Sequence, residues 1–166
     1  MAKAAKRAAA AGTPATRILL AAGVPHTLHS YEHDPAATNY GMEAATGLGI
    51  DPERVFKTLL VSAEGSLAVA VVPVSGSLDL KKCAAALGAK RAVMADPADA
   101  ERRTGYVLGG ISPLGQRQPS PTVIDSSALR FPTVLVSGGR RGLDIELAPA
   151  DLVRLTRART AAIGTR

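Results

Sequence analysis

The chain has 166 residues and a mass of 17.0 kDa, and it is 46% hydrophobic but only 3% aromatic, which suits one globular domain with an aliphatic core rather than two domains. A single cysteine, Cys83, excludes an internal disulfide and a cysteine-rich metal site, and no apolar run approaches the roughly 20 residues that span a bilayer. The formal charge of +6, with a pI near 9.9, favours an anionic partner such as nucleic acid or phosphate.

Residues 1–12, MAKAAKRAAAAG, are basic and Ala-rich without the apolar core of a secretory signal, and read as a flexible tail. Thr13-Pro14 then caps a helix that should run to Gly23. The stretch HTLHSYEHDP, 26–35, reads as a strand entering a turn at Asp34-Pro35, and a second helix is expected over 39–48, before Gly49. Two apolar runs flank Glu64-Gly65 within 55–74, the pattern of a buried hairpin at the centre of a sheet. A helix follows from Asp79 to Leu87, and a short one after Pro97. Strands are expected at 122–125, 133–137 and 143–147, then a helix from Pro149 that ends in Arg154, Arg157 and Arg159, with 161–166 as a C-terminal tail.

Few residues in this chain offer chemistry of their own. His26, His29 and His33 cluster in sequence, but on a strand His26 faces away from the other two, which stand about 13 Å apart at roughly 3.3 Å per residue, too far to share an ion. Ser112 lies in GISPLG, which is not the G-x-S-x-G elbow of a serine hydrolase, and Cys83 sits among alanines on a predicted helix, the usual setting of a small core residue. Neither dinucleotide nor Walker glycine patterns occur, and no metal or cofactor is expected. Lys57 opens an apolar strand, where its charge either snorkels to solvent or meets an anion. Arg140 and Arg141 lie in SGGRRG, 137–142, a turn that fits a phosphate or a solvated hairpin tip equally well. Asp144 and Glu146 share one face of the next strand, and either can orient Lys57 or a substrate amine. The loop TGYVLGGISPLG, 104–115, is rich enough in glycine to let a ligand approach backbone, but it carries no acid, base or thiol.

The stretches SYEHDP (30–35), VFKTLLV (55–61), LDLKK (78–82), ALGAK (86–90), MADP (94–97), TGYVLGGISPLG (104–115) and VSGGRRGLDIELAPADL (136–152) together resemble the YbaK or EbsC family, and its Cys-tRNA(Pro) deacylases in particular. The resemblance spans about residues 14–158 in consistent order. It implies an α+β fold of a single domain over 13–160, a mixed, barrel-like sheet core flanked by helices, related to the insertion domain of prolyl-tRNA synthetases. It also implies a cytoplasmic enzyme that acts on mischarged tRNA, with transient contact to prolyl-tRNA synthetase, no membrane or DNA partner, and a monomer or weak homodimer. Family pocket residues map onto Tyr31, Tyr40, Lys57, Gly109, Ser137 and Asp144, with Thr58, Gly110, Ser112, Arg140 and Arg141 as further substrate contacts. Tyr40 stands where relatives often carry phenylalanine, which keeps the aromatic wall and adds a hydroxyl.

The chemistry so implied needs no nucleophile from the protein. The thiol of a misattached cysteine attacks its own ester, the ribose hydroxyl leaves and a thiolactone forms, while backbone around Gly109 and Gly110 steadies the oxyanion. Two rivals stay open on sequence: a deacylase for another amino acid, such as alanine on tRNA(Pro), and a noncatalytic module that binds tRNA or a synthetase.

Overall fold

A computed structural model of the chain describes residues 12–165, so the expected tail over 1–12 lies, but for Gly12, outside the described residues. Helix α1 (Pro14–Ala22) begins at a reciprocal cap: the Thr13 hydroxyl accepts from the Thr16 amide, Thr16 returns the bond to the Thr13 amide, and Pro14 fills the first turn. Strand β1 (His26–Ser30) follows, then α2 (Tyr40–Leu48), capped by the Asn39 carboxamide, which accepts from the Met42 amide. A 3-10 turn at Pro52–Arg54 leads to β2 (Phe56–Ala63) and β3 (Ser66–Pro73). Then come β4 (Ser77–Leu78), α3 (Leu80–Ala86), β5 (Ala92–Met94) and α4 (Pro97–Thr104). After the glycine loop the chain forms β6 (Thr122–Asp125), a 3-10 turn at Ser126–Arg130, β7 (Val134–Arg140), β8 (Leu143–Leu147), α5 (Pro149–Thr156), β9 (Arg159–Ala161) and β10 (Gly164–Thr165).

The expected hairpin is the spine of the molecule. β2 and β3 pair antiparallel from Phe56–Pro73 to Ala63–Ser66, and both are internal in a five-stranded sheet of order β5-β2-β3-β6-β9, where β6 and β9 run parallel to their neighbours. Strand alternation assigns the two faces of β3: Val69 and Val71 enter the main core with α1, α4 and α5, while Ala68, Ala70 and Val72 pack with Cys83 of α3. Both faces are covered, which is why the run reads as continuously apolar. Cys83 is fully buried there, and burial raises its thiol pKa.

The mixed α+β single domain is as expected, but the strands do not close into a barrel. β1, β8 and β7 form a separate three-stranded antiparallel sheet, tied to the larger one by a single parallel bridge between Val55 and Leu135. The C-terminal region differs from the sequence reading as well. Helix α5 stops at Thr156 because Arg157 adopts a left-handed conformation (φ 53°), so Arg159 belongs to β9 and not to a helix end. Residues 161–165, read as a tail, are part of the fold: Ile163 is fully buried, and the Asp125 carboxylate accepts the Ile163 and Gly164 amides.

Candidate functional site

The seam between the two sheets opens into a cavity of about 460 Å³. Each element lends it one wall. β2 supplies Lys57 and Thr58, the second sheet supplies Ser137 and Asp144, the start of α2 supplies Tyr40, and the glycine loop supplies Gly109; Tyr31, just past β1, completes the ring. Seven residues picked out from the sequence thus converge on one pocket. Asn39, Gly41, Leu108 and Ile111 also line it and were not anticipated. Gly41 had a legible signal, a glycine inside a helical pattern: a Cβ there would stand 2.3 Å from a Val74 methyl, so only glycine lets α2 pack on the end of β3.

Charge in the pocket is unevenly settled. Asp144 is only 4% exposed, and burial pushes its carboxyl pKa up to about 7. Burial also lowers the Lys57 pKa, and its Nζ donates to the Gly76 carbonyl at 2.9 Å. The expected orientation of Lys57 by Asp144 or Glu146 is therefore not seen: no ion pair joins Lys57 to either acid among the described residues. Glu146 is instead consumed by structure, accepting from His29 Nε2 at 2.7 Å, from Arg54 at 3.1 Å and from the Thr133 hydroxyl. Tyr31 has its phenol pKa pushed up to about 12, first by burial and next by the Asp144 charge. The Thr58 hydroxyl is buried and has no hydrogen-bond partner among the described residues, an unmet polar group of the kind that a bound ligand satisfies.

The glycine loop is shaped by contacts that split its residues into two roles. Gly109 has φ 82°, and an added Cβ would lie 2.8 Å from both the Tyr40 ring and Arg141 Nε. Gly110 faces the other way: its amide donates to Val107 at 2.9 Å, and an added Cβ would strike the Arg140 backbone at 2.7 Å. It lies outside the pocket lining, so the expectation of a backbone donor there is corrected to a packing role. Ser112 is also withdrawn from the site. It is fully buried, its hydroxyl accepts the Leu114 amide at 3.2 Å, and it does not line the cavity.

The arginine pair sits at the exposed tip of the β7–β8 hairpin, outside the cavity lining. Strand β7 continues to Arg140 through a bulge between Ser137 and Arg140, and Arg141 folds back over Tyr40, its guanidinium carbon 4.6 Å from the ring centroid. Arg141 Nε also donates to the Leu108 carbonyl at 2.8 Å, which clamps the loop to the pocket mouth. Among the described residues no group of three or more potential ligands is placed to hold a metal. The clustered histidines have separate partners: His26 meets the Val24 carbonyl, His29 meets Glu146 and His33 meets Glu43.

The single-domain α+β fold thus presents one cavity at the sheet seam, walled by a lysine, a buried carboxyl and a glycine loop. The description "Aminoacyl-tRNA editing domain" matches residues 33–155, and the chain belongs to that family. A protein of Enterococcus faecalis (strain ATCC 700802 / V583) with the name "Putative Cys-tRNA(Pro)/Cys-tRNA(Cys) deacylase EbsC" is 42% identical over 123 residues, 74% of this chain and 75% of that one. A proline–tRNA ligase of Moorella thermoacetica (strain ATCC 39073 / JCM 9320) is 34% identical over 73 residues, 44% of this chain and 13% of the ligase. The crystal structure of "a putative trans-editing enzyme for prolyl tRNA synthetase" superposes with a TM-score of 0.76 at 26% identity, covering 92% of this chain and 98% of that one.

Proposed function

We propose that the protein is a trans-acting editing deacylase that clears cysteine from mischarged tRNA(Pro). The observation that carries this reading is the convergence of Tyr31, Tyr40, Lys57, Thr58, Gly109, Ser137 and Asp144 on one cavity that offers no activated protein nucleophile. Cys83 and Ser112 are buried elsewhere, and no histidine lines the cavity beside the Ser137 and Thr58 hydroxyls, so this reading takes the attacking atom from water or from the substrate. In the substrate-assisted route the cysteine sulfur forms a bond to its own carbonyl carbon, the ester C–O bond breaks, and the thiol proton ends on the departing ribose oxygen. The products are a thiolactone and free tRNA. Holding sulfur and carbonyl in attack geometry supplies several kcal/mol of the barrier.

The roles divide by chemistry. Asp144 faces the substrate ammonium, whose charge draws the carboxyl back to its ionised form. Lys57, fixed by Gly76, meets the terminal nucleoside or its phosphate. Thr58 offers its unpaired hydroxyl, and the Gly109 backbone, which lines the cavity, is assigned to the developing oxyanion. Prolyl-tRNA synthetase is the natural source of the error, because a pocket separates near-isosteres by only about 10 to 200-fold. The location that follows is the cytoplasm; no helix among the described residues is long and apolar enough to cross a membrane.

The test compares Cys-tRNA(Pro), Ala-tRNA(Pro) and S-methyl-Cys-tRNA(Pro) at equal concentration. The expected result is cleavage of the first, with the other two spared. Equal hydrolysis of the S-methyl ester makes water the nucleophile, preferential loss of alanine changes the substrate, and survival of all three esters makes the protein a binding module.

A further inference from the structure

A second cavity, of about 330 Å³, touches the first at a single hydrogen bond: Lys57 lines one, and Gly76, whose carbonyl receives the lysine, lines the other. Its floor is apolar, with Pro73 from the end of β3 and the half-buried Phe131 ring. Its polar groups are sorted into spent and available. The Asp125 carboxylate, also on the wall, is engaged by the Ser127 hydroxyl and by the amides of Ser127, Ile163 and Gly164, which hold its pKa below the usual range although burial opposes them. Arg130 is exposed, and neither its guanidinium nor the Ser126 hydroxyl has a hydrogen-bond or ion-pair partner among the described residues. Glu53 also lines the cavity.

That combination is selective. A bare anion would meet Arg130 alone, whereas a nucleotide has a phosphate for the guanidinium and a flat base for the apolar surface of Pro73 and Phe131. We propose that this second cavity binds a nucleotide of the unpaired RNA strand leading to the aminoacylated terminal nucleoside, with Arg130 on its phosphate and Phe131 and Pro73 against its base. The inference rests on the reading that the first cavity takes that terminal nucleoside, and it assigns the Ser75–Gly76 turn as the ridge over which the strand passes. Single-strand recognition by a cationic group beside an aromatic surface is sequence-tolerant, which suits an end that every tRNA shares.

The experiment measures binding of adenosine 5′-monophosphate and of the trinucleotide CCA to the whole protein, beside deacylation of Cys-tRNA(Pro). The wild type is expected to hold CCA at least tenfold more tightly than the mononucleotide. Arg130→Glu removes that gain with mononucleotide binding unchanged, and Arg130→Gln removes part of it. Arg130 is exposed, so both variants should keep the wild-type Tm; Phe131→Ala gives an independent check if it folds. No trinucleotide advantage in the wild type, or an advantage that survives Arg130→Glu, overturns the second site. The two readings fail separately: Cys-tRNA cleavage without the advantage removes only the second cavity, and an Arg130-dependent advantage without cleavage removes only the deacylase.

Discussion

Asp144 and Glu146 stand two residues apart on the same strand, and their surroundings give them opposite jobs. Glu146 has three donors and a pKa held below the ordinary range, chiefly by Thr133 and His29, whereas Asp144 is buried without a cation and is pushed up to about 7. A carboxyl whose folded pKa exceeds its unfolded value favours the fold only while it is protonated. Its contribution is therefore intact below about pH 4, declines between about 4 and 7, and above that becomes a constant penalty. Asp144→Asn should accordingly raise unfolding free energy by roughly 1–3 kcal/mol at pH 8 and by almost nothing at pH 4, while deacylation falls at least tenfold. Denaturant melts at the two pH values check the first part; equal effects at both would place the cause in packing. At Gly109 the prediction is steric. Gly109→Ala adds a Cβ 2.8 Å from the Tyr40 ring at a left-handed φ, so turnover should drop by two orders of magnitude or more, read as kcat/KM beside an unchanged far-UV spectrum.

Among elements, the last strands are the instructive case. β9 and β10 are three and two residues long, too short to show alternation, and the Ile163 anchor is the one large apolar residue in TAAIGT, a stretch of small residues that resembles a frayed end. What secures it is remote: the Asp125 carboxylate, 38 residues earlier, which no local pattern announces. Likewise Arg157 ends α5 in a left-handed turn without the glycine that signals one. The hairpin β2–β3, by contrast, was legible because two long apolar runs flank Glu64-Gly65, and the first helix start was legible from Thr13 and Pro14, while the caps at Asn39 and Asp79 emerge with the structure. The cavity lining divides in a related way: Lys57, Thr58, Ser137 and Asp144 reach it from strands, while Gly110 and Ser112, in an irregular loop, do not line it. Asp125→Ala should thus detach the C-terminal strand, costing roughly 2–4 kcal/mol, with rapid hydrogen exchange at Ile163 and Gly164 as the specific sign.

At the scale of the molecule, a net charge of +6 on 166 residues gives RNA binding a non-specific electrostatic share. Between 50 and 200 mM salt, KM for a full-length aminoacyl-tRNA should rise about tenfold or more, while an aminoacyl-adenosine changes far less; parallel slopes would mean that the body of the tRNA goes unfelt. The bridge between Val55 and Leu135 carries a further consequence. Among the described residues it is the one isolated backbone bridge between the two sheets, and residues of both sheets line the pocket beside it. The sheets therefore act like the two leaves of a book, and the aperture between them is set by what fills the spine: Ala44, Val55, Val74 and Leu135, all buried and, apart from Ala44 and Val55, outside the pocket lining. A change of volume at Val74 or Leu135 alters the gap without altering a residue that lines the pocket. Leu135→Val is then expected to shift the relative kcat/KM of small against large aminoacyl esters more than their common stability loss explains, so that substrate range in such domains can drift through residues that never meet the substrate.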